Sequence, residues 1–120
     1  MTFFKPTKNA NHVFVYGANL AGIHGAGAAK EAMLHWGAEY GKIGHVGRSY
    51  GIPTKSRELK TLSLYSIGLL VAEFLEYARE NPELTFLVTP IGTGLAGYSI
   101  EQIAPMFKNA PENCRLAWEI

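Results

Sequence analysis

Apolar residues in this chain fall into short unbroken runs separated by glycine- and proline-rich breaks, with one longer stretch at helical spacing. Val13 to Tyr16 is apolar at every position and rich in β-branched and aromatic residues, as expected of a strand covered on both faces. Ahead of it, Lys5 to Asn11 is polar and reads as a lead-in loop. After it the chain breaks at Gly17, Gly22, Gly25 and Gly27 and passes into alanine-rich sequence that favours helix. The spacing of Ala29, Met33 and Trp36 predicts a helix from about Gly27 to Trp36, stopped by Gly37.

Ala38 to Arg48 is glycine-rich, with no run long enough for an element; a stretch of this kind inside a compact domain is more often functional than idle. A short strand follows at Ser49-Tyr-Gly-Ile-Pro53, where the proline ends it or places its end at a sheet margin. Thr54 to Glu58 then reads as a charged loop. Leu62 to Arg79 carries the clearest period, since Ile67, Leu70, Val71, Phe74, Leu75 and Ala78 form one apolar stripe. Asn81-Pro82 ends that helix. Thr85 to Pro90 predicts another strand, and Ile91 to Gly97 a second glycine loop. Ser99 and Gln102 form a capping box ahead of a helix that Pro105 keeps short or kinked. A last short strand is expected at about Arg115 to Trp118.

This alternation implies an α/β domain with a mainly parallel sheet, in which ligands sit beyond the carboxyl ends of the strands. Both glycine loops fall at such ends. If their strands are neighbours, the loops face each other across one cleft, and a diphosphate is the natural occupant, because glycine lets backbone N–H groups turn toward an anion. Gly92-x-Gly-x-x-Gly97 matches the dinucleotide fingerprint in form, but too little chain follows for a Rossmann half. Neither loop contains Gly-Lys-Ser/Thr, which excludes a P-loop.

Composition narrows the partners. The 120 residues fit one domain, and eleven Lys/Arg against ten Asp/Glu, with no block of either sign, argue against a protein built to coat nucleic acid or an anionic membrane. Any nucleic-acid contact would be local. The single Cys114 excludes an internal disulfide framework and fits a reducing compartment. The start is too short and too soon polar for a signal peptide, and no apolar run reaches spanning length, so the expected location is cytoplasmic. His12, His35 and His45 show no ligand spacing with one another or with Cys114, so no metal is expected; no cofactor is expected either.

Three segments carry a resemblance. Gly17-Ala-Asn-Leu-Ala-Gly-Ile-His-Gly-Ala-Gly-Ala-Ala29, Ile52-Pro-Thr-Lys55 and Pro90-Ile-Gly-Thr-Gly-Leu-Ala-Gly97 resemble, in order, the signature segments of macrodomains. They are most similar to the branch holding the terminal ADP-ribose protein glycohydrolases and the DarG-type antitoxins that remove ADP-ribose from DNA. The resemblance implies a three-layer fold, a mainly parallel mixed sheet flanked by helices, with residues 1–120 forming one ADP-ribose-binding domain.

It also implies a site. Asn19 would hold the distal ribose and Lys55 would lie beside it, these two forming the candidate catalytic pair. The ligand would be held by Gly17, Ala18, Asn19, Gly22, Ile23, His24, Gly25, Ala26, Gly27 and Ala28 of the first loop and Pro53 and Thr54 of the middle segment. Ile91, Gly92, Thr93, Gly94, Leu95, Ala96, Gly97 and Tyr98 of the second loop would complete it. Asparagine offers a ribose diol both a donor and an acceptor, and an unprotonated lysine could form an imine with the opened sugar. His24 could touch the ligand or simply occupy a turn. Tyr50 and Tyr98 could stack on it or belong to the core, and Arg48 and Arg57 are candidate anion clamps.

The chain departs from the pattern in places. Terminal glycohydrolases carry aspartate where this chain has Ala96, DarG-type members have glycine there, and Thr93 replaces a common cysteine. Hydrolytic removal of ADP-ribose from a protein or nucleic acid is therefore one expectation. A module that reads or sequesters ADP-ribose without turnover is the other, and a fold relative holding a different nucleotide is the third.

Overall fold

The computed structural model describes residues 4–25 and 27–119. Among the described residues five strands form one sheet: β1 (His12–Asn19), β2 (Gly44–Val46), β3 (Ser49–Lys55), β4 (Thr85–Val88) and β5 (Cys114–Leu116). Their order across it is β2-β3-β1-β4-β5. β1 pairs in parallel with both β3 and β4, and β4 with β5, while β2 is antiparallel to β3. The sheet is therefore mixed but mainly parallel, as expected.

Strand alternation on β1 divides the core into two layers. Val13 and Val15 face a cluster with Ile52, Phe86 and Val88, closed by Ile67, Val71, Phe74 and Ala78 of α2 (Leu64–Glu80) and by Ile103 and Phe107. Phe14, Tyr16 and Ala18 point the other way, to Ala29 and Ala32 of α1 (Gly27–His35) and to Trp36. Trp36 stacks on Phe14 with ring centroids 5.1 Å apart. Helices thus cover both faces. α3 (Ile100–Ile103) is one turn long and passes at Pro105 into a 3₁₀ turn, and the Ser99 N–H donates to Gln102 Oε1 at 3.0 Å.

Four details differ from the reading of the sequence. The glycine-rich segment after α1 holds β2, which pairs Val46 with Ser49 and Gly44 with Gly51; a three-residue edge strand is too short to show a period. Pro53 does not end β3, which runs on through Thr54 to Lys55. The β2 ladder stops opposite Gly51 and the antiparallel bridge to Thr61 begins only at Lys55, so Pro53 sits in the gap between two pairings, where a missing N–H is tolerated. The charged loop accordingly begins at Ser56. Ala29 and Trp36 of the expected stripe are buried, but Met33 is exposed and Ala32 is buried in its place. The final strand is shifted to Cys114–Leu116, followed by a 3₁₀ turn at Ala117–Glu119.

Candidate functional site

The two glycine loops leave neighbouring strands, β1 and β4, at the same end of the sheet. Between them lies a cleft of about 570 Å³, within the range usual for a small-molecule site. The first loop and α1 contribute Gly17, Ala18, Asn19, Ile23, Gly25, Gly27, Ala28 and Ala29 to it. The end of β3 contributes Thr54 and Lys55, and the second loop contributes Ile91, Gly92, Thr93, Gly94, Leu95 and Ala96. Three segments distant in sequence therefore line one cleft.

α1 starts at Gly27, so its unpaired first-turn N–H groups and positive dipole end stand at the cleft. Lys55 is the one charged residue among those lining it. The ten acidic residues of the chain are all glutamates, and none lines the cleft. An anion is the complementary guest.

Asn19 and Lys55 face each other in the β1–β3 register, at a bulge between Ala18 and Asn19. Bulges at strand ends re-aim side chains, and here the bulge falls at the mouth of the cleft. The Asn19 side chain spends half its capacity on its own loop: Nδ2 donates to the Ile23 carbonyl at 2.9 Å, and Oδ1 accepts the Ile23 N–H at 3.0 Å. One amide hydrogen and one lone pair remain for a ligand. Lys55 is half-buried, and among the described residues no carboxylate lies within ion-pair distance of it.

The second loop is braced from outside. Tyr98 Oη donates to the Leu62 carbonyl at 2.7 Å, and Thr61 Oγ1 donates to the Ala96 carbonyl at 3.0 Å. Thr93 Oγ1 donates to the Pro90 carbonyl at 2.6 Å, so its hydroxyl proton is already used within the loop.

Several expected contacts lie elsewhere. His24 is only 3% exposed and does not line the cleft; its Nε2 lies 2.9 Å from the Tyr16 hydroxyl, inside the layer beneath α1. Burial pushes the Tyr16 hydroxyl up to about 12. Gly22 turns at φ +71°, where an added Cβ would sit 2.5 Å from Gly41 backbone atoms, so it packs loop against loop instead of facing a ligand. Pro53, Gly97 and Tyr98 do not line the cleft either, and Ala26 lies outside the described residues. Tyr50 is a core residue, edge-on to Phe74 at 4.9 Å. Arg48 lies at the opposite end of β3, 5.0 Å above Trp36 and bonded to the Asn9 carbonyl, which removes it as a clamp.

Ala29, Leu59, Thr89 and Pro90 also line the cleft, outside the expected set. Thr89 and Pro90 directly precede the second loop, and the one signal for Leu59 is an apolar residue set in a charged turn.

No protein-family model matches this sequence, and no curated protein matches it. Among solved structures, the macrodomain of Mycobacterium tuberculosis DarG superposes with a TM-score of 0.70. The fold is that of a macrodomain. The superposition covers 94% of this chain and 92% of the other, at 16% sequence identity. In this macrodomain fold the cleft opens at the carboxyl ends of the parallel strands, where ligands of open α/β sheets sit.

Proposed function

We propose that residues 1–120 act as one ADP-ribose-binding unit that hydrolyses ADP-ribose from a modified macromolecule. The observation that carries the binding is the placement of Gly25 and Gly94. Neither has a positive φ, and an added Cβ on either would meet nothing within 4 Å. The fold does not need them to be glycine, whereas a ligand lying against the backbone does. Gly68 is equally unconstrained, but it lies on α2 away from the cleft. With these two glycines on the two loops that line the cleft, backbone donors of both loops and the first turn of α1 suit a diphosphate.

Asn19 and Lys55 then meet the distal ribose. In the hydrolytic step the unprotonated Lys55 amine attacks C1″. The bond from C1″ to the attached group breaks, its electron pair leaves with that group, and the group takes the proton released by the amine. The ribose ring opens as O4″ takes the second amine proton, giving an imine. Water adds to the imine and returns the aldehyde of ADP-ribose and free lysine.

Borohydride trapping tests this. Wild-type protein turning over an ADP-ribosylated substrate should yield a stable adduct on Lys55, and Lys55→Ala should bind ADP-ribose without turnover or adduct. The second reading, a module that binds without turnover, is favoured by the absence of any acidic residue from the lining, since no side-chain carboxylate stands there to relay protons. Binding with no turnover on protein- or DNA-linked ADP-ribose would support it.

A further inference from the structure

After β3 the chain reverses through Ser56–Lys60. The Leu59 N–H donates to the Ser56 carbonyl at 3.0 Å, the Ser56 N–H to the Lys60 carbonyl at 2.8 Å and the Lys60 N–H to Ser56 Oγ at 3.2 Å. Lys55 and Thr61 close the reversal as an antiparallel bridge. Within it Leu59 stands at φ +63°, the one non-glycine residue in the left-handed region among the described residues. In short reversals of this kind that position is normally glycine, because a Cβ crowds the backbone there.

Nothing in the fold repays the leucine. The residue is 46% exposed and joins neither core cluster. It does line the cleft, on the same segment as Lys55. A strained backbone that presents an apolar side chain to a cleft, with no structural return, indicates a contact made with a ligand.

We infer that Leu59 is a specificity-determining residue: it packs on the group bonded to the reducing carbon of ADP-ribose and favours conjugates in which that group is apolar. This rests on the reading that Lys55 meets that carbon. A γ-branched side chain lining the same cleft as the lysine excludes water from one face of the departing group, and contact with apolar surface is rewarded there while a small polar group gains nothing.

The test uses free ADP-ribose and two of its glycosides, 1″-O-methyl and 1″-O-benzyl, titrated against wild-type protein, Leu59→Gly and Leu59→Asn. Glycine removes both the strain and the contact, and asparagine tolerates the left-handed backbone while making the contact polar. Wild type should bind the benzyl glycoside on the order of tenfold tighter than the methyl one. Both variants should bring the benzyl-to-methyl affinity ratio to within about twofold of one, and melt no lower than wild type to any marked degree. A benzyl preference that survives in the variants, or is absent from wild type, overturns the inference while leaving ADP-ribose binding intact. If wild type does not bind free ADP-ribose at all, the underlying reading of the cleft fails and the inference falls with it.

Discussion

His24 and Tyr16 share a buried hydrogen bond, Nε2 to hydroxyl at 2.9 Å, between the first glycine loop and the centre of β1. The pair explains how a loop rich in glycine keeps its shape: the residue just before Gly25 is pulled into the core. Space for the phenol comes from Gly51 on the adjoining strand, where a Cβ would lie 2.9 Å from the Tyr16 hydroxyl oxygen. The other ring nitrogen, Nδ1, is buried and has no partner among the described residues. Tyr16→Phe would leave both nitrogens unpartnered. It should cost about 1–3 kcal/mol in denaturant unfolding and speed amide exchange at residues 20–25. Equal exchange rates in the two proteins would show that the pair does not hold the loop.

Alkaline stability follows from buried phenols. Burial pushes Tyr16 and Tyr50 each up to about 12, and for Tyr50 the nearby Glu73 carboxylate adds to the rise. An unfolded tyrosine ionises near 10, so the unfolded state loses protons first as pH rises. Stability is fully present below pH 10 and falls between about 10 and 12. Following unfolding against pH should show that decline, and Tyr16→Phe should flatten part of it. A stability curve level through this range would contradict the burial of both hydroxyls.

Cys114 is half-buried, and desolvation raises its thiol to about 11 even though Arg79 pulls the other way. The thiolate is the reactive form, so near neutral pH the native protein should react slowly with a thiol reagent and the denatured protein fast. Equal rates would place the thiol in open solvent.

The glycines separate fold from site. Gly22→Ala forces a Cβ to 2.5 Å from the Gly41 backbone at φ +71°, and should destabilise by at least about 2 kcal/mol. Gly25→Ala and Gly94→Ala meet open space and should melt close to wild type, yet lose most of their affinity for ADP-ribose. Retained affinity in both would mean that no ligand lies against those backbones.

The sequence carried the frame of this fold because the frame is written in local patterns. The apolar run of β1, the stripe of α2 and the proline that shortens α3 each declare themselves within a few residues. The adjacency of β1 and β4, which brings the glycine loops together, could only be posed as a condition, since strand order is a long-range property. β2 was illegible because three residues carry no period, and Pro53 misled because its cost depends on whether a neighbouring strand extends past it. His24 and Tyr98 looked like ligand contacts from their places in the motifs. Their roles as anchor and brace depend on Tyr16 and on the Leu62 carbonyl, which no local spacing connects to them.

The most direct measurement is calorimetric titration of the wild-type protein with ADP-ribose, with AMP and NAD run alongside. Micromolar binding of ADP-ribose, with much weaker binding of the other two, is the predicted result. Absence of binding at millimolar ADP-ribose would contradict the account and leave a macrodomain fold whose cleft serves another ligand.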